Sequence, residues 1–192
     1  MRTFSILLLL IMGMGCQEKD NTQKNENDSG RYVGSVEVMD EELNHVLDPA
    51  ARPEIIGEGF EWTEGPVWVA RHDFLLFSDV PTNIIYKWSQ AQGVTEYLNP
   101  SGYTGEYNRG GESGSNGLLI DRQGDLVLCQ HGDRRLARMQ APLNEPAPDF
   151  KTIAADYEGK RFNSPNDLVQ HSSGAFYFTD PPYGLEKGSD DP

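Results

Sequence analysis

The sequence predicts an all-β chain built as a β-propeller, and three observations carry that expectation. A unit of about fifty residues recurs in the region from Glu54 onward. Each unit breaks into short apolar strands separated by turns rich in Gly, Asn and Asp, and no convincing helical stretch interrupts them. A β-sandwich would account for the strands but gives no reason for the regular interval.

Taken in order, the copies read "EGPVWVARHDFLLFSDV" from Glu64, "NGLLIDRQGDLVLCQHG" from Asn116 and "NDLVQHSSGAFYFTDPP" from Asn166. Each opens on a residue able to act as a ligand, runs through a short apolar strand, turns on polar residues and enters a second apolar strand. The second strands "FLLFSD", "LVLCQH" and "FYFTDP" keep step with the starts. "NIIYKWS" and "VTEYL" complete the first unit with two further strands; "RRLARMQ" and "FKTIAAD" complete the second. The third unit stops after its second strand, at "YGLEKGSDDP". A propeller closes by joining its last blade to its first, and an open array leaves unpaired edges and an uncovered apolar flank. Residues 32–192 are therefore expected to form an incomplete propeller of about two and a half blades, cut from a polypeptide nearly twice as long.

The segment ahead of the repeats has a different character. "MRTFSILLLLIMGMGC" combines a basic residue, Arg2, with an apolar run from Phe4 to Met14 and small residues before Cys16. The run is roughly half the ~20 residues that span a bilayer, so residues 1–15 read as a signal peptide of lipoprotein type. Cys16 is the expected lipidation site, and residues 16–31, almost free of apolar side chains, read as a flexible polar tether. The protein is then expected to be exported and held at the cell envelope by lipid alone; without the lipid it would be periplasmic or secreted.

The chain has 192 residues and a net charge of −14, enough length for one core and the wrong sign for nucleic acid or an anionic membrane surface. Divalent cations and small neutral ligands remain compatible with that charge. With Cys16 occupied, Cys129 has no partner for a disulfide; inside an apolar strand it reads as a packing residue.

In a propeller the innermost strand of each blade lines the central channel, so equivalent strand entrances converge near the axis. Glu64, Asn116 and Asn166 occupy such positions by the repeat. One carboxylate and two amide carbonyls aimed at a common point suit a hard divalent cation, which takes oxygen ligands. Pro165 of "SPND" stiffens the turn that would present Asn166. Turn residues bonding their own backbone explain the same Asn and Asp pattern, and spacing alone leaves both readings open.

Four stretches carry a further likeness: "EWTEGPVW", "GESGSNGLLIDRQGDLVLCQHGDRRLARM", "YEGKRFNSPNDLV" and "YFTDPPYGL". From about Ile56 to Leu185 the chain resembles the gluconolactonase group of the senescence-marker-protein/gluconolactonase/luciferin-regenerating family. The resemblance implies a six-bladed propeller holding a divalent ion, calcium before Zn2+ or Mg2+, and hydrolysis of a five- or six-membered sugar lactone. Residue by residue, it implies that Glu64 and Asn166 bind the metal and that Asn116 contacts substrate or a metal-bound water. The family's remaining metal ligand and presumed base, an aspartate of a later blade, has no counterpart up to Pro192. Gly114 stands where some members carry an arginine.

His131, just past a second strand, is a candidate substrate-binding residue at the pocket mouth, or else a turn histidine held by neighbouring backbone. Asp180 matches Asp79 in the repeat and reads as blade architecture or a second cation site. No G-x-S-x-G elbow occurs, and no phosphate-cradling glycine loop or C-x-x-C pair. Three functions are open at this point: a lactone hydrolase, a related ester or phosphotriester hydrolase, and a non-catalytic envelope propeller that binds sugars or proteins.

Overall fold

In the computed structural model, which describes residues 31–107 and 111–185, strands begin in earnest at Thr63. The first four, β1 (Thr63–Val69), β2 (Phe74–Asp79), β3 (Ile84–Ser89) and β4 (Gly93–Leu98), form one antiparallel sheet in the order of the chain. The next four, β5 (Ser115–Ile120), β6 (Leu126–Gln130), β7 (Arg135–Met139) and β8 (Phe150–Ala154), form a second sheet of the same design. A small hairpin, β9 (Asp156–Tyr157) and β10 (Lys160–Arg161), leads to β11 (Leu168–Gln170) and β12 (Phe176–Phe178), the paired first strands of a third unit. Two full blades and the opening hairpin of a third match the expected count. Residues 31–62, by contrast, carry only an isolated bridge between Tyr32 and Glu54 and a single 3-10 turn at Glu41–His45. The signal-peptide and lipidation readings fall outside the described residues, and no described helix is long and apolar enough to cross a membrane.

The second strand of each blade explains why its sequence does not alternate. All five residues of β6, "LVLCQ", are buried. Successive side chains of a strand point to opposite faces. Leu126 and Leu128 accordingly join Val69, Leu76, Ile85, Leu118 and Met139 in the core between the first and second sheets. Val127 and Cys129 turn the other way and pack with Leu136 and Leu168 toward the third unit. One strand thus feeds two interblade cores, which only a sheet sandwiched on both faces can do. On the outer face of the first sheet, Phe60 lies over Phe77 and Tyr86, with ring centroids 5.0 Å apart in each case.

Polar side chains close the ends of the blades. Asp79 accepts from the amides of Glu61 and Trp62 at 3.3 and 2.9 Å, and Asp180 accepts from those of Asn163 and Ser164 at 2.8 and 2.9 Å. Each aspartate clamps the segment that enters its blade, which is the architectural reading of the pair. The repeat needs one refinement here. The hairpin after the first strand spans residues 70–73 in the first blade and 121–125 in the second, because β1 and β2 each carry one additional residue. Counted from the blade entrance, where Thr63 pairs with Asp79 and Ser115 with Gln130, Gln130 and not His131 then falls level with Asp79 and Asp180, and its Nε2 bonds the Ser101 carbonyl at 2.8 Å.

Candidate functional site

The three strand entrances meet. Glu64, Asn116 and Asn166 line one cavity of about 240 Å³, together with Gly65, Gly117 and Asp167. Its construction follows from two glycines that come directly after the first two of these residues. A Cβ on Gly65 would stand 2.2 Å from the Asn116 carbonyl oxygen, and one on Gly117 would stand 2.8 Å from that of Asn166. Glycine at each position lets one blade entrance press against the backbone of the next. The Gly117 amide donates to the Asn166 carbonyl at 2.7 Å, so the contact is bonded as well as close.

Buried hydroxyls fix the middle entrance. Ser78 Oγ donates to the Asn116 carbonyl at 2.9 Å and lies 2.8 Å from Ser115 Oγ. The Asn116 side chain, almost wholly buried, donates through Nδ2 to Asn166 Oδ1 at 3.0 Å. That oxygen keeps a second lone pair, and Glu64 contributes a carboxylate to the same cavity. Trp62 Nε1 donates to Glu64 Oε1 at 2.8 Å. Asp167 is nearby, with Oδ1 accepting from the Leu168 amide at 2.8 Å.

His131 is not among the residues lining this cavity. Its imidazole is fully buried, Nδ1 lies 3.4 Å from Glu112 Oε2, and a Cβ on Gly184 would stand only 3.0 Å from the same nitrogen. The ring is therefore boxed in between the Glu112 loop and the 3-10 turn Pro182–Gly184. Glu112 itself was not singled out by the repeat. Burial pushes its carboxyl above the usual range, and the charge of Glu64 adds to the rise, so the two acidic groups share one neighbourhood. The only sequence sign of this was a glutamate four residues ahead of Asn116. Cys129 is fully buried, and burial followed by the charges of Asp167 and Asp180 drives its thiol far above the ordinary range. A thiol so protonated is no nucleophile.

Comparison with known proteins bears on what this cavity is for. The model of the SMP-30/Gluconolactonase/LRE-like region matches residues 62–191. The chain belongs to that family. A gluconolactonase of Zymomonas mobilis subsp. mobilis (strain ATCC 31821 / ZM4 / CP4) is 41% identical over 162 residues, covering 83% of this chain and 44% of the relative. Among solved structures, a gluconolactonase from Xanthomonas campestris superposes with a TM-score of 0.62 at 29% identity, over 83% of this chain and 46% of that one. A second, provisionally named as a gluconolactonase, gives 0.57 at 36% identity over 69% and 40%. The chain thus spans less than half the length of these relatives, and its sheets are blades of a gluconolactonase-type propeller.

The donor set can be judged for a cation on chemistry alone. Among the described residues no group of three or more His, Cys, Asp or Glu could hold a metal ion. What the cavity offers is the carboxylates of Glu64 and Asp167 and amide oxygens, on entrances pressed together by Gly65 and Gly117. These are hard oxygen donors, a type that fits calcium or magnesium better than a soft-ligand metal.

Proposed function

We propose that the cavity of Glu64, Asn116 and Asn166 is part of the site of a divalent-cation-dependent sugar-lactone hydrolase. The observation that carries this reading is their convergence from three separate blades in a chain 41% identical to a gluconolactonase. Glu64 and Asn166 would hold the cation, calcium before Zn2+ or Mg2+. When bound, such an ion supplies Lewis acidity toward the lactone carbonyl and charge stabilisation for the oxyanion. Glu64 provides the negative charge that retains it. Asn116, whose Nδ2 is bonded to Asn166 Oδ1 at 3.0 Å, holds that oxygen in place and stands where the lactone or its attacking water would lie. Glu64 is committed to the cation, so the base that takes the water's proton is assigned to an aspartate of a later blade.

Two results are expected from this reading. Glucono-1,5-lactone hydrolysis, followed in a pH-stat, should require calcium and stop in EDTA when all the blades are present, and residues 1–192 alone should be inactive. Turnover indifferent to EDTA would defeat the metal reading. Full turnover by the 192-residue chain would show that no later blade is required.

Placement at the cell envelope is part of the same proposal and rests on the sequence around Cys16. Cells expressing the chain should incorporate radiolabelled palmitate into it, and Cys16→Ser should remove the label. An equally labelled Cys16→Ser chain would refute lipidation at that residue.

A further inference from the structure

We propose that Trp62 is a positioning residue for Glu64: its indole N–H fixes one carboxylate oxygen so that the group is presented ready-oriented to a cation. The inference rests on the metal reading above and adds a residue to it. Its starting point is an indole bonded to Glu64 Oε1 at 2.8 Å while 59% of the residue stays exposed. A tryptophan left so open contributes little to either core, and it belongs to neither interblade cluster.

Its backbone is held firmly nonetheless. The Trp62 amide donates to Asp79 Oδ1 at 2.9 Å, and its carbonyl accepts from the Val80 amide at 3.0 Å. The end of β2 therefore anchors the residue at both backbone groups, and the side chain is projected from a fixed base onto Glu64. Two features make an indole suited to this. It donates a single hydrogen bond and accepts none, so it claims Oε1 and leaves Oε2 to the cavity. It is also uncharged, so it orients the carboxylate without neutralising the charge that a cation needs, as Lys or Arg would.

Without that bond Glu64 is a partly exposed side chain with several rotatable torsions, facing repulsion from Glu112. Ordering it on ligand binding would then cost rotamer entropy that the indole has already removed. Outer partners of this kind typically change metal affinity by about 10- to 100-fold when lost.

The 192-residue chain carries three tryptophans, Trp62, Trp68 and Trp88, so its nitrogen-15 correlation spectrum should show three indole signals. Trp62→Phe identifies one by its disappearance. That signal should move upfield in Glu64→Gln, where the acceptor loses its charge, and should shift in the wild type as calcium chloride is added. Calorimetric titration should show calcium bound about 10-fold more weakly by Trp62→Phe than by wild type. Equal affinities, or an indole signal indifferent to Glu64→Gln, would overturn this inference alone. A protein carrying all the blades that takes up no calcium would overturn the metal reading and this inference with it.

Discussion

Glu64→Gln should lower calcium-dependent lactone turnover by two orders of magnitude or more, while leaving the fold intact. The replacement keeps the side chain's length and an oxygen able to accept from Trp62 Nε1, so the local hydrogen bond survives. What it removes is the formal charge. Asn166 and Asn116 carry only dipoles, and Glu112 has its carboxyl pushed toward the protonated form by burial first and by Glu64 second. Glu64 and Asp167 are the two carboxylates on the cavity wall, and Glu64→Gln removes one of them. A divalent cation left with amide oxygens and Asp167 loses much of the interaction that offsets its dehydration. Loss of a single electrostatic stabiliser of a developing oxyanion already costs about 10²- to 10³-fold. Loss of the ligand that retains the ion should be at least as severe.

Two measurements check this. Calcium titration of a protein carrying all the blades should show binding in the wild type and none, or at least 100-fold weaker binding, in the variant. Turnover in a protein carrying the whole propeller should fall in parallel, with the thermal midpoint little changed, since surface substitutions away from buried networks usually stay within about 0.5 kcal/mol. Undiminished turnover in the variant would remove Glu64 from the mechanism. A large drop in thermal stability would mean that the residue serves the fold first.

How much of this was legible beforehand depends on the range of the interactions concerned. The period of about fifty residues exposes the blades because each one repeats its own short-range pattern, and the uninterrupted burial of "LVLCQ" follows from a strand that packs on both faces. Glu64, Asn116 and Asn166 were readable because each opens a unit, and a repeat brings unit openings to one place. Residues outside the repeat were not. Trp62 and Glu112 reach the site through contacts that no sequence period encodes. His131 stood beside a readable strand, yet its burial depends on the turn Pro182–Gly184, some fifty residues away in the chain. The shift of Gln130 into step with Asp79 and Asp180 had the same origin. The additional residue in β1 is compensated by a hairpin one residue shorter, whereas the one in β2 is not, a difference visible only in the ladder register.

The largest structural effect is expected at Gly65. Gly65→Ala should destabilise the chain by about 3 kcal/mol or more, a value reached only through a few mechanisms. Gly65 has φ +56°, so a side chain there carries left-handed strain of about 1 kcal/mol before any contact is counted. The contact is worse than the strain. The added carbon would stand 2.2 Å from the Asn116 carbonyl oxygen, 2.9 Å from the Leu118 amide nitrogen and 3.0 Å from Gly117 Cα, all of them backbone atoms that cannot rotate aside. Relief requires the second blade to move away from the first. That motion would pull the Asn116 carbonyl off Ser78 Oγ and disturb the buried Ser78–Ser115 pair, each orphaned group costing about 1–3 kcal/mol. Gly93→Ala supplies the control, because Gly93 has φ +65° but nothing within 4 Å of the added carbon. Strain alone should cost it about 1 kcal/mol. Thermal unfolding should therefore separate the two, with a midpoint on the order of 10 °C lower for Gly65→Ala and only a few degrees lower for Gly93→Ala. Calcium affinity should fall with the first substitution and not with the second, since only the first displaces Asn116 from Glu64. Equal midpoints for the two variants would mean that the first and second blades are not pressed together at Gly65, and the geometry on which the cavity depends would fail with them.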